Sequence, residues 1–252
     1  MCAASIRFSK FYGVDFFKGK KVLELGCGHG DIGAFFADLG ADVLCLDGRI
    51  QNINFAKLKH RKVANLKFVQ FNLENDFSHF GKFDLIIDFG LIYHLRNVET
   101  HLKACFAAAN DIVMETVVCD STDPNKVLFC SERREIDEES LEGMGSRPSP
   151  FYIERIAREN NVNFTRYFTG DLNAGSQFCY DWAHKNDNRL GDDFKLRRFW
   201  RLTEAAPAVA DAIQRDGAQQ GSSHDAQEDQ RCPASASSIA GEITNGGARH
   251  KR

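Results

Sequence analysis

The sequence lacks any stretch approaching the roughly 18–20 consecutive apolar residues that a helical membrane span needs. Its first residues, Met1-Cys2-Ala3-Ala4-Ser5-Ile6-Arg7, hold no apolar run of the signal-peptide type. None of the cysteines (Cys2, Cys27, Cys45, Cys105, Cys119, Cys130, Cys179, Cys232) forms a C-x-x-C pair, and no histidines sit at metal-ligand spacing. A metal site is therefore not expected. Several cysteines lie in apolar runs, where a free thiol behaves as a small hydrophobe, so reduced core cysteines in a cytoplasmic protein are expected. An excess of positive charge is missing too. With 32 Lys and Arg against 35 Asp and Glu, the net charge of -3 excludes capture of nucleic acid by whole-surface charge, though not by a local patch. No internal repeat is present.

Aromatic residues are absent after Thr203, where the chain turns to Ala, Gly, Ser, Gln and Asp. Such a composition cannot bury enough apolar surface to offset its ordering entropy. The expected organisation is one domain over residues 1–202 and a disordered tail over 203–252, with a loose helix possible from Glu204 to Ile213.

The body alternates short apolar runs with helical patterns. Lys21 to Leu25, Asp42 to Asp47, Leu66 to Phe71, Phe83 to Phe89 and Asp111 to Val118 read as strands. Asp31 to Leu39, Ile50 to Arg61, Val98 to Ala109 and Pro150 to Asn160 read as helices, with Asp31 as a candidate cap for the first and Gly40 as its stop. Phe164 to Phe168 and Arg198 to Leu202 close the set. Strands alternating with helices imply right-handed crossovers, hence a Rossmann-like α/β fold: a seven-stranded, mostly parallel sheet with helices on both faces. The long polar connection from Cys119 to Pro148 and the excursion before Arg198 are expected to border a substrate pocket.

Gly26-Cys27-Gly28-His29-Gly30 follows the first strand, at the carboxyl edge where open parallel sheets bind ligands. Glycine there permits a tight turn and close approach of backbone to ligand. Gly28-x-Gly30-x-x-Gly33, with Asp47 downstream, also satisfies the dinucleotide fingerprint, so an NAD-dependent oxidoreductase is one reading. However, Glu24-Leu25-Gly26-Cys27-Gly28-His29-Gly30 resembles the first motif of the class I S-adenosylmethionine (SAM) dependent methyltransferases. That resemblance implies SAM as cofactor, with Glu24, Gly26, Cys27 and Gly28 around it. It places Asp47 and Gly48 at the ribose, Asn72 and Leu73 at the adenine, and Asp88 and Phe89 near the methyl donor. Glu24 favours the same choice, because a cationic sulfonium and ammonium favour a nearby carboxylate and a pyrophosphate does not.

Gly90-Leu91-Ile92-Tyr93-His94-Leu95, then His101-Leu102 and Met114-Glu115-Thr116-Val117-Val118, is similar to the core of the bacterial tRNA wobble-uridine carboxymethyltransferases, which use a carboxylated SAM. Methyl transfer needs chiefly alignment of donor and acceptor. Where the acceptor is a hydroxyl or amine, a base assists. His94 and Tyr93 are the candidates, following the fourth strand at the open end of the sheet. Glu115 and Arg147 are candidate acceptor contacts. A small molecule or carbohydrate is the leading acceptor class. RNA, chiefly tRNA, is the alternative, through the clusters Lys57, Lys59, His60, Arg61, Lys62 and Arg189, Lys195, Arg197, Arg198, Arg201.

Overall fold

A computed structural model describes residues 11–137, 139–168, 170–174, 178–188 and 196–204. Apart from Thr203 and Glu204, the expected tail lies outside the described residues, as do Arg189 and Lys195 of the second basic cluster. Five strands run parallel: β1 (Lys21–Leu25), β2 (Asp42–Asp47), β3 (Leu66–Gln70), β4 (Leu85–Phe89) and β5 (Asp111–Val117). After β5 come a hairpin of β6 (Val127–Ser131) and β7 (Met144–Pro148), then β8 (Val162–Tyr167) and β9 (Arg197–Glu204). The main sheet has seven strands in the order β3-β2-β1-β4-β5-β9-β8, with β9 antiparallel to both neighbours. The expected sheet is therefore present. Its last strand is longer than Arg198 to Leu202, since Thr203 still pairs with Asp111.

Helices cover both faces. On one side, α1 (Asp31–Asp38) and α2 (Ile50–Lys59) bring Phe36, Ile53 and Ala56 onto Val22, Val43, Leu85, Ile87 and Val113. On the other, α3 (Val98–Ala108) and α4 (Pro150–Glu159) bring Leu102, Cys105, Ile153 and Ile156 onto Leu23, Leu25, Ile86, Ile112 and Met114. Alternate residues of β1 and β4 thus feed opposite cores, which explains their near-continuous apolar runs.

Local chemistry sets several boundaries. Ser149 caps α4, its Oγ accepting from Tyr152 N at 3.0 Å ahead of Pro150. The cap of α1 is Gly30 rather than Asp31; Asp31 sits one position into the helix and pairs instead with Lys59 of α2 at 2.6 Å. The fourth strand starts at Leu85, because the Asp84 carboxylate accepts Lys21 N at 2.8 Å; Phe83 keeps only an isolated bridge to Ala109.

The hairpin β6–β7 lies within the connection expected to border the pocket. It packs on the 3-10 turn Ile92–His94 that follows β4.

Candidate active site

Connections from β1 lead outward through β2 and β3, and those from β4 lead the opposite way through β5. The carboxyl ends of β1 and β4 therefore flank the switch point where such sheets bind ligands. A cavity of about 520 Å³ opens there. The glycine loop forms one wall. Gly26 N and Cys27 N both donate to Leu46 O, at 2.9 and 3.1 Å, turning the chain across the end of β2. Gly26 (φ +67°) and Gly28 (φ +51°) take left-handed backbone conformations, and a Cβ on Gly28 would meet nothing within 4 Å. The loop thus presents bare backbone at the cavity, which Gly26, Gly28 and His29 line.

Asp47, at the end of β2, locks this loop. One carboxylate oxygen accepts Gly28 N at 2.9 Å; the other accepts Arg49 N at 2.8 Å and Asn52 Nδ2 at 3.2 Å. Asp47 and Gly48 line the cavity. Glu24 and Cys27 do not. The Glu24 carboxylate points behind the loop, accepting Gly33 N of α1 at 2.8 Å and lying 3.1 Å from Cys45 Sγ. Burial pushes its carboxyl up to about 7, against those two hydrogen bonds. Cys27 Sγ is buried beside the Cys45 thiol: the contact with Cys45 lowers Cys27 but burial leaves it raised, while the contact with Cys27 and then burial raise Cys45.

Asn72, Leu73 and Glu74 after β3 form the next wall. The Asn72 side chain donates to Glu142 Oε1 at 3.0 Å and accepts Glu74 N at 3.1 Å. Asp88 and Phe89 are absent from the lining. Asp88 is fully buried, 2.8 Å from His101 Nε2 of α3, while His101 Nδ1 lies 3.3 Å from Leu73 O. This pair ties the end of β4 to the segment after β3. Burial works against a charged imidazole, but Cys105 and the Asp88 carboxylate hold His101 well above its ordinary value. Asp88, His101 and Cys105 offer ligand atoms within 4.8 Å of one another, a grouping the spacing did not reveal. The direct Asp88–His101 contact makes it a hydrogen-bonded pair. Phe89 packs on Phe199.

Tyr93 and His94 line the far end. His94 Nδ1 lies 2.5 Å from Glu132 Oε2, just beyond β6. Arg147 of β7 donates to Tyr93 O at 2.7 Å and reaches Glu132 Oε1 at 3.3 Å. Burial opposes charge on Glu132, yet His94, Ser140 N and Arg147 hold its carboxyl below the ordinary value. The Arg147 and Arg197 guanidiniums each lie 5.2 Å from the centre of the Tyr93 ring, and burial raises its phenol. Glu115 and Arg197 form a buried two-point pair at 2.7 and 3.0 Å. Glu115 and Arg147 thus support the far wall from behind and do not line it.

The connection between β6 and β7 closes the mouth through Asp137, Glu139, Ser140, Leu141 and Glu142. Its carboxylates, with Glu74 and Asp47, outnumber the lining guanidinium of Arg49. Glu132 and Glu142 escaped sequence reading because they lie in a polar stretch without periodicity.

Residues 23–111 match a family model described as a methyltransferase domain. The chain is 33% identical over 90 residues to a ubiquinone biosynthesis O-methyltransferase of Acinetobacter baylyi, covering 34% of this chain and 38% of that protein. It is 31% identical over 124 residues to a tRNA U34 carboxymethyltransferase of Pseudomonas putida, covering 46% and 38%. These matches span well under half the length of either relative. Among solved structures, the N-terminal domain of EvdMO1 with S-adenosylhomocysteine (SAH) bound superposes with TM-score 0.60 at 19% identity, covering 80% of this chain and 81% of that one. The methyltransferase-domain match thus covers the glycine loop and most of the parallel sheet, and the fold agrees with that of the SAH-bound neighbour.

Proposed function

We propose that this chain is a SAM-dependent methyltransferase whose acceptor is a small molecule held in the cavity between the glycine loop and the β6–β7 connection. The observation that carries this is Asp47, fixed across the glycine loop at the switch point, in a cavity whose other fixed charges are mostly carboxylates. That donor set fits the group. Asp47 Oδ2, which already accepts Gly28 N, keeps one lone pair for a ribose hydroxyl, Asn72 and Glu74 offer acceptors for an amine, and the acidic lining favours a cationic sulfonium and ammonium. A pyrophosphate would meet the same carboxylates with Arg49 as its main counterion, which disfavours the NAD reading.

When bound, SAM supplies a methyl group on a sulfonium, and transfer to the acceptor's nucleophile leaves the methyl–sulfur electron pair on sulfur as SAH. The chain's residues align the partners. In this reading Gly26, Gly28, Asp47, Gly48, Asn72 and Leu73 contact the cofactor, and Tyr93 and His94 face the acceptor.

The curated relatives bear names of both small-molecule and tRNA enzymes, so they do not choose the acceptor. The carboxylates of Glu74 and Glu142 favour a small neutral or cationic molecule over RNA, whose phosphates they would repel, while Glu139 beside them is paired with Arg133. A carboxylated SAM would bring a further anion into an already acidic cavity, which Arg147 and Arg197, paired with Glu132 and Glu115, do not line. No described helix is long and apolar enough to cross a membrane. The free cysteines, four of them buried, fit the cytoplasm.

Thermal melting with SAM, SAH and NAD tests the cofactor, since a ligand bound only by the native state raises its stability. Stabilisation by SAM and SAH, lost in Asp47→Ala, is expected; stabilisation by NAD alone refutes the reading. Methyl-labelled SAM with a metabolite extract, followed by mass spectrometry, identifies the acceptor. Label appearing only in added tRNA would transfer the proposal to RNA.

A further inference from the structure

We infer that Glu132 is the positioning residue of a His94–Glu132 dyad, which holds the imidazole with its proton on Nδ1 and a bare Nε2 at the cavity, ready to take a hydroxyl proton. This rests on the methyltransferase reading and adds to it an acceptor class: a hydroxyl compound that must lose its proton during transfer.

The geometry is built from two separate parts of the chain. His94 belongs to the 3-10 turn after β4, and Glu132 follows β6. Their 2.5 Å contact engages Nδ1 with a carboxylate oxygen. A carboxylate accepts and does not donate, so the hydrogen in this contact sits on Nδ1. Nε2 is then the remaining polar atom of a ring that lines the cavity.

Glu132 is itself held. Ser140 N donates to the same Oε2 at 2.7 Å, and Arg147 Nη2 approaches Oε1 at 3.3 Å. Arg147 also donates to Tyr93 O, so it fastens the turn carrying His94 and the carboxylate that orients it. The hairpin approaches this turn closely at Gly145 of β7. A Cβ there would lie 2.2 Å from Glu132 Oε1 and 2.4 Å from Tyr93 O. Any larger residue would displace the carboxylate or the turn, so Gly145 is part of the same device.

The dyad moves one proton. The acceptor's O–H bond breaks, its electron pair stays on oxygen, and the proton bonds to the lone pair of Nε2. The carboxylate of Glu132 remains ionised and balances the imidazolium, and the proton then passes to water. This is the carboxylate–imidazole logic by which an orienting acid fixes the tautomer without being protonated. Tyr93 does not share the role, because its phenol is buried against Arg197.

Nuclear magnetic resonance of protein carrying nitrogen-15 histidine, with and without SAH, tests the assignment. Titrated until neutral, the wild-type His94 ring is expected to show hydrogen on Nδ1 and none on Nε2. Glu132→Leu removes the acceptor and should move the hydrogen to Nε2, while Glu132→Gln, which retains an acceptor oxygen, should keep it on Nδ1. Turnover is read on the hydroxyl compounds of the metabolite extract. There Glu132→Leu should lower kcat on the order of 10²–10⁴-fold with KM for SAM unchanged, and Glu132→Gln should fall between. A wild-type ring protonated on Nε2, or a Glu132→Leu enzyme with wild-type kcat, overturns the assignment. Failure of SAH to bind the wild type refutes methyl transfer instead, and the tautomer spectra still decide what Glu132 does.

Discussion

Glu24 illustrates how one buried carboxyl couples the cofactor loop to pH. Its folded value is about 7 against an ordinary 4.5, because burial outweighs the bonds from Gly33 N and Cys45. Between those values the folded chain keeps a proton that the unfolded chain has lost, so stability falls as pH rises through the window and levels off above about 7. The two values imply a loss of about 3 kcal/mol across it. Ligand-free protein should therefore melt progressively lower from about pH 4.5 to about pH 7, and Glu24→Gln should flatten that slope. An identical slope in the variant would show that Glu24 is not the titrating group. The sequence marked Glu24 as a functional acid through its place before the glycines. It could not show that the side chain turns towards α1, since that depends on the packing of Gly33 and Cys45 around it.

At the scale of elements, α1 approaches β1 and β2 through Gly33. A Cβ there would stand 2.4 Å from Cys45 Sγ and 2.6 Å from Glu24 Oε2, both enclosed. Gly33→Ala should destabilise the protein by about 1–3 kcal/mol, as overpacking does, and weaken SAH binding by shifting the loop. Denaturant melts compared with wild type check this; unchanged stability would mean that α1 can retreat freely. Most elements were legible because their signals are local: apolar runs, a 3.6-residue period, Gly40 after a helix, Ser149-Pro150 before one. The hairpin β6–β7 was not. Met144-Gly145-Ser146-Arg147-Pro148 alternates poorly and contains both Gly and Pro, and its stability comes from pairing with Val127–Ser131 and packing on the Ile92–His94 turn.

For the whole molecule, the last paired strand closes the fold between β5 and β8 and carries the buried Arg197, Arg198, Phe199 and Trp200. We propose that residues 205–252 add nothing to cofactor binding. A chain ended after Glu204 should keep the melting temperature and the SAH-induced shift of the full chain; loss of either would assign the remainder a structural or binding part. The sequence by itself determined the α/β order, the glycine loop with Asp47 beside it, and the placing of Tyr93 and His94 at the open edge. Those follow from periodicity, from glycine's backbone freedom and from the rule that parallel strands end together. Only the tertiary structure decided what these residues touch. Glu132 meets His94 across 38 positions, Glu142 meets Asn72 across 70 and Arg197 meets Glu115 across 82. Contacts between residues so far apart leave no periodic trace in a single sequence, because they form only when the hairpin and the antiparallel strands pack against the parallel core.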